Sequence, residues 1–213
     1  MTQIASSLLL LVVLTDFVVL GTSRMSTCIR AIGVQGLLLA GLPVFLHAEW
    51  SVHLVGLALG TAAVKAVALP WFLSWAIREA NVRREVEPLV GFVPSLLIGA
   101  VMVAGSFAVA PTLPLPVQGG TLLVAVALSN VLTGLVVLTS RLKAVTQVVG
   151  YLMLENGIYV FGLTQTQRVP FLLELGVLLD VFVGVFIMGI VVFHINREFD
   201  SMSSSHLEEL KES

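Results

Sequence analysis

Leu89 to Ala110 reads LVGFVPSLLIGAVMVAGSFAVA, 22 residues without a charge. A helix of that length rises about 33 Å, enough to cross the ~30 Å hydrocarbon core of a bilayer. A membrane strand crosses in about 9–11 residues and alternates apolar with polar positions, which this run does not do. On either side of it lie six more runs of the same kind, at about 3–21, 29–47, 53–77, 120–140, 144–163 and 170–194. The breaks between them are charged or rich in proline. They include His47-Ala-Glu49-Trp50, the stretch from Arg78-Glu79 to Glu87-Pro88, and Pro111-Thr-Leu-Pro-Leu-Pro116, whose prolines cannot continue a helix. The predicted fold class is all-α: a polytopic membrane helical bundle of about seven transmembrane helices. One transmembrane domain covers 1–199, and 200–213 forms a polar cytoplasmic tail.

Composition agrees with that reading. Of the 213 residues 57% are hydrophobic and 11% charged, with a mean hydropathy of +1.02. An average soluble domain is ~45–50% apolar and ~25% charged. Most of this surface therefore faces lipid, which excludes a soluble enzyme domain and a disordered chain. A net charge of −2 gives nucleic acid nothing to bind. The single cysteine, Cys28, excludes a disulfide framework, a paired-cysteine zinc site and a cysteine-ligated iron–sulfur cluster. No glycine-rich phosphate loop or nucleophile–base arrangement stands out. The sequence predicts no catalytic residue, no metal site and no cofactor, so any redox chemistry belongs to a partner.

The first run lacks a basic flank, carries Asp16 and has no small-x-small cleavage site, so it reads as a retained span rather than a leader. Nine basic residues fall on one side of the predicted topology: Arg24, Arg30, Arg78, Arg83, Arg84, Arg141, Lys143, Arg197 and Lys211. Arg168 alone falls on the other, and Lys65 lies within a span. Basic residues gather on the cytoplasmic side. The expected orientation has the N-terminus outside and the C-terminus in the cytoplasm. In the tail, Ser205-His-Leu-Glu208 has capping-box spacing, compatible with a short helical turn or a solvated coil.

Two stretches resemble each other internally. Val18-Val-Leu-Gly-Thr-Ser-Arg24 is followed nine residues later by Gly33, and Val136-Val-Leu-Thr-Ser-Arg141 nine residues later by Gly150. Lys65 and Asp180 follow those glycines by 32 and 30 residues. This is the layout of a parallel repeat, three spans plus one joiner plus three.

A charge at the bilayer centre costs at least ~2.5–3.5 kcal/mol, so each one needs a reason. Lys65, Glu155 and Asp180 lie near mid-span, whereas Asp16 and Glu174 lie nearer the ends, where water lowers the cost. A buried pair that only fixes packing is one reading, but three such charges in one small bundle favour ion handling. Tyr151, Glu155 and Tyr159 recur every four residues on one stripe, placing a carboxyl between two phenols with Asn156 beside it. Gly176, Asp180 and Gly184 share a face that a neighbouring helix can approach. Thr61 precedes Lys65 by one turn, and Pro70 deprives the Ala66 carbonyl of its usual donor. Glu155 and Asp180 lie on consecutive antiparallel helices joined around Gln165 to Val169; if their faces meet, both carboxyls cannot ionise easily. Gln35, Asn130 and Gln147 read as bridges between helices. His47 and His53 read as solvated rather than metal-binding and His194 as interfacial rather than a proton relay, and Trp50, Trp71 and Trp75 as an aromatic belt or lipid contacts.

The segment Gly150-Tyr-Leu-Met-Leu-Glu155-Asn156-Gly157, with Asp180-Val-Phe-Val-Gly184, resembles component E of hydrogenase-4, a membrane subunit of formate-hydrogenlyase-type complexes. The resemblance runs over the whole chain and includes Lys65 followed by Pro70. The last three spans are also similar to the K-type subunit of respiratory complex I and the C-type subunit of multisubunit Na+/H+ antiporters. Gly150, Asn156, Asp180 and Gly184 match the K-type pattern; its first glutamate position is Leu152 here, and Glu155 lies nearly one turn later. The resemblance implies a non-redox membrane-arm subunit, partnered by antiporter-like and hydrogenase-like subunits, with Glu155, Asp180 and Lys65 serving proton or Na+ translocation. Tyr151, Tyr159, Asn156 and Asp16 would support them. A stand-alone secondary transporter and a structural scaffold of the same arm are the competing readings. A retinal photoreceptor is disfavoured, because the last span carries Asp180 and no lysine.

Overall fold

The computed structural model describes residues 3–46, 52–79, 89–113, 120–164, 179–180 and 182–189. Several sequence expectations concern other residues and lie outside this set. These are His47, Glu49, Trp50, Arg83, Arg84, the prolines 114 and 116, the connection 165–169 with Arg168, Glu174, Gly176, His194, Arg197 and the tail with Lys211. His53 is in a helix, but its side chain is also outside the set.

The described chain is helical apart from its short connections. The elements are α1 (Gln3–Gly21), α2 (Met25–Leu46), α3 (Val52–Thr61), a π-helical segment (Ala62–Ala68), α4 (Leu69–Glu79), α5 (Phe92–Val109), a 3₁₀ turn (Ala110–Thr112), α6 (Thr121–Ser140) and α7 (Ala144–Thr164). Residues 179–180 and 182–189 are helical as well. Among the described residues five stretches are long and apolar enough to cross a bilayer: Gln3–Gly21, Met25–Leu46, Ala58–Arg78, Phe92–Thr112 and Thr121–Ser140. The protein is a polytopic helical bundle of the membrane. α7 has the same length but carries Gln147, Glu155 and Asn156, and 15 of its 21 residues are buried. Its polar groups face protein, so it can be less apolar than a helix that meets lipid.

The helix ends follow from local chemistry. Arg24 O accepts from Thr27 N at 3.0 Å and from Cys28 N at 3.2 Å, starting α2 directly after the turn that closes α1. Gly120 opens α6 with φ of 92°, a left-handed conformation that a side chain would strain. Arg141 ends α6 in an extended conformation. The sequence reading placed Arg141 in a cytoplasmic connection; here it is 1% exposed and turned inward. Its Nη2 donates to Leu20 O at 2.9 Å, and its guanidinium lies 5.4 Å from the Phe92 ring centroid. The last carbonyls of α1 lack partners within their own helix, and a guanidinium meets that need. Burial pulls the Arg141 pKa below its ordinary value.

α5 is peripheral, with Val93, Leu97 and Val101 exposed towards lipid, whereas α6 and α7 touch backbone to backbone. A Cβ on Gly134 meets Leu154 N at 2.5 Å, and one on Gly150 meets Leu138 N at 2.5 Å. Only glycine permits that approach.

The core falls into two layers. One joins Val19, Ile29, Ile32, Leu73, Val137, Val149 and Val183, nearer the helix ends that carry Arg24 and Arg141. The other joins Leu9, Val12, Leu39, Val126 and Val160, nearer the opposite ends. Between them, each inner helix contributes polar residues: Asp16 on α1, Gln35 on α2, Asn130 and Thr133 on α6, Glu155 and Asn156 on α7. Two apolar layers thus enclose a polar one.

Candidate functional site at mid-membrane

Lys65 occupies the π-helical segment, and the sequence explains why. Pro70 has no N–H, so the α-helical bond to Ala66 O cannot form. The ladder steps one residue wider, with Leu69 N donating to Val64 O. Single π turns of this kind recur at functional sites. α2 lies directly against the segment. A Cβ on Gly36 meets Lys65 C, Cβ and O, each at 2.8 Å, and one on Gly33 meets Pro70 Cγ at 3.2 Å. The two glycines let α2 back the widened turn and hold Lys65 towards the bundle axis.

There Lys65 Nζ donates to Glu155 Oε1 at 2.5 Å and to Asp180 Oδ1 at 3.1 Å. The three residues are 4%, 1% and 4% exposed. The predicted mid-span charges therefore converge on one point, and the two carboxyls meet through the lysine. Lys65 and Asp180, which the internal repeat aligns, face each other. The repeat's glycines differ in their surroundings, since Gly33 backs Pro70 while Gly150 backs α6. Leu152 is 2% exposed within the apolar layer. Glu155, nearly one turn further, is the residue that reaches Lys65.

Other expectations require correction. The phenols do not flank Glu155 as hydrogen-bond partners. Tyr159 instead turns its ring towards Lys65, with Nζ 5.9 Å from the centroid, and its hydroxyl lies on the Thr61 side. Glu155 reaches Lys65 through Oε1 and faces Asp180 as well. Tyr151 is half-buried and lines a cavity of about 230 Å³ with Leu138, Gln147, Phe182 and Phe186. Gly184 is not a site of close helix approach among the described residues, since a Cβ there meets nothing. Trp71 is 64% exposed, and Trp75 stacks on Phe72 at 5.4 Å. Gln147 Nε2 donates to Arg141 O at 3.0 Å.

A second cluster was not foreseen. Asp16, expected near the membrane surface, has no exposure at all. Gln35 Nε2 donates to Asp16 Oδ1 at 2.8 Å and to Thr15 Oγ1 at 3.0 Å. Asn156 Nδ2 donates to Gln35 Oε1 at 2.8 Å. The Asn130 amide faces the same carboxyl; with its nitrogen inward it donates to Oδ1 at 3.0 Å and Oδ2 at 2.5 Å. Gln35 and Asn130 thus bridge helices as their polarity suggested, but around an acid. The missed signal was depth. Gln35 lies ten residues past Met25 and Asn130 ten before Ser140, each about 15 Å from the same end of the bundle. An acid bonded to both is at mid-depth, whatever its place along α1.

A protein of Mycobacterium tuberculosis, described as "Uncharacterized protein Rv0085", is 33% identical over 203 residues, covering 94% of this chain and 92% of that one. The chain belongs to the Rv0085 family. This family member also has more distant relatives. Hydrogenase-4 component E of Escherichia coli K12 is 28% identical over 151 residues, covering 69% of this chain and 68% of that protein. The component E of Shigella flexneri matches to the same extent. No protein-family profile and no solved structure matches.

Proposed function

We propose that this member of the Rv0085 family is a non-redox membrane-arm subunit of a hydrogenase-type complex, and that Lys65, Glu155 and Asp180 carry protons or Na+ through it. One observation carries the reading: a single ammonium is shared by two carboxyls in a fully buried layer. One positive charge neutralises one carboxylate, so the second must bind a proton or another cation, or stay uncompensated at high cost. An arrangement with two negative sites and one positive is poised to exchange an ion when a neighbouring charge changes. The distant similarity to hydrogenase-4 component E supports a place in a hydrogenase-type membrane complex.

The test compares Glu155→Gln and Asp180→Asn with wild type, after reconstitution with the complex in sealed vesicles. Both variants keep side-chain shape and remove titration. Each is expected to assemble and to leave the redox rate intact, while the gradient built per turnover falls at least several-fold. Wild-type coupling in the double variant would make the carboxyls structural and favour the scaffold.

The direction of transport needs the orientation; the one proposed, argued from the basic residues, has the N-terminus outside and the C-terminus in the cytoplasm. In a Cys28→Ser background, Gln118→Cys is expected to react with an impermeant thiol reagent in intact cells. Ser203→Cys is expected to react only after permeabilisation. The reverse labelling inverts the topology.

A further inference from the structure

We infer that Asp16 is a second proton-binding site, a carboxyl that alternates between acid and carboxylate while the Asn130 amide turns to meet each form. The Asp16 side chain is wholly buried among neutral groups. Gln35 faces it from α2, Asn130 and Thr133 from α6, and Thr15 lies beside it on α1. Among the described residues no lysine, arginine or histidine pairs with it, in contrast to the carboxyls that Lys65 holds. An ionised carboxyl without countercharge is costly in such a place.

The acid form fits the surroundings. Asp16 Oδ2–H donates to Asn130 Oδ1 across 2.5 Å, within the range of short O–H···O bonds, while Gln35 Nε2 donates to Oδ1 at 2.8 Å. The carboxylate form fits too. A half-turn of the Asn130 amide presents its nitrogen to Oδ1 at 3.0 Å, an ordinary N–H···O length, and to Oδ2 at 2.5 Å, from which it withdraws by a few tenths of an ångström, and Gln35 need not move. Exchange breaks the Oδ2–H bond, passes H+ to a water molecule and leaves the electron pair on the carboxylate. A carboxyl that served packing alone would need partners for one state; this one has them for both.

The site is also linked to the lysine triad. Gln35 bonds Asp16 through its nitrogen and Asn156 through its oxygen, and Asn156 adjoins Glu155. A change of charge at Asp16 is therefore transmitted through Gln35 to the residue next to the triad. As a station for transported protons, Asp16 rests on the function proposed above; as a proton-binding site it is tested on the chain alone.

The chain has three aspartates, Asp16, Asp180 and Asp200. The full-length protein in lipid nanodiscs, labelled with 13C at aspartate carboxyls, is studied by infrared spectroscopy. The expected result is a labelled carbonyl band of an un-ionised acid at pH 7, shifted in D2O. It persists in Asp180→Asn, is lost in Asp16→Asn and gives way to a carboxylate band as pH rises. Asn130→Leu, which can meet neither form, is expected to shift the band and move its midpoint by about one pH unit or more. An unmutated labelled chain showing carboxylate bands alone overturns the inference without requiring any variant to fold. An acid band that never titrates while the chain stays folded overturns it as well. Failure of the vesicle experiment removes the transport role and leaves this band unchanged.

Discussion

Replacing Lys65 by methionine is expected to lower the unfolding free energy by about 3–5 kcal/mol, the cost of removing one partner from a buried ion pair. Glu155 and Asp180 are then left with no cation at exposures of 1% and 4%. The loss comes less from the missing attraction than from two carboxyls stranded in low dielectric. A triple variant, Lys65→Met with Glu155→Gln and Asp180→Asn, should therefore recover most of the stability, since uncharged groups of similar volume do not carry that penalty. It should recover none of the ion movement. Arg24→Met, at an exposed position, should change little. Thermal unfolding in nanodiscs and the gradient in vesicles measure the two properties separately. A triple variant as unstable as the single one would mean that the loss comes from the ammonium's missing hydrogen bonds rather than from stranded carboxylates.

That separation matters because sequence alone shows that a buried charge is expensive without showing what stabilises it. The apolar runs are legible: α1 occupies Gln3–Gly21 and α6 occupies Thr121–Ser140, where uninterrupted hydrophobicity leaves no other element possible. Lys65, Glu155 and Asp180 are legible for the same reason, since each stands out against its run. Their convergence is less so, because 90 residues separate Lys65 from Glu155 and packing alone brings them together. Arg141 misleads, because a basic residue at a helix end reads as a topology marker while here it caps α1 from inside. Asp16 misleads differently. Position along one helix was taken as depth, but tilt and packing set depth jointly, and only its bonds to Gln35 and Asn130 reveal it. The π-helical segment was half visible. Pro70 announces a lost hydrogen bond, and nothing local says whether the ladder kinks or widens.

Pro70 removes the α-helical bond, α2 packs against the widened segment that results, and Gly36 is where that fit can be broken. Gly36→Ala puts a methyl 2.8 Å from three atoms of Lys65, two of them backbone, where carbon contacts relax to about 3.5–4.0 Å. Backbone cannot swing aside as a side chain can, so α2 and the π segment must part by something under an ångström. Lys65 moves with the segment, and the 3.1 Å bond to Asp180, the longer of its two, is the one with least to spare. The effect on stability is expected to be small in net terms. Overpacking costs about 1–3 kcal/mol, and alanine in place of glycine returns up to about 1 kcal/mol through helix propensity. The effect on ion coupling is expected to be large, a fall of several-fold in gradient per turnover, because an ion pair shared by two acids depends on both distances. Gly41→Ala supplies the control on the same helix, since a Cβ there meets only Phe45 Cε2 at 3.9 Å. A stable Gly36→Ala chain that couples as wild type would show that the π segment positions Lys65 without α2. Loss of coupling with retained stability, beside an unaffected Gly41→Ala, would mean that α2 tunes the shared ion pair through a glycine that touches neither carboxyl.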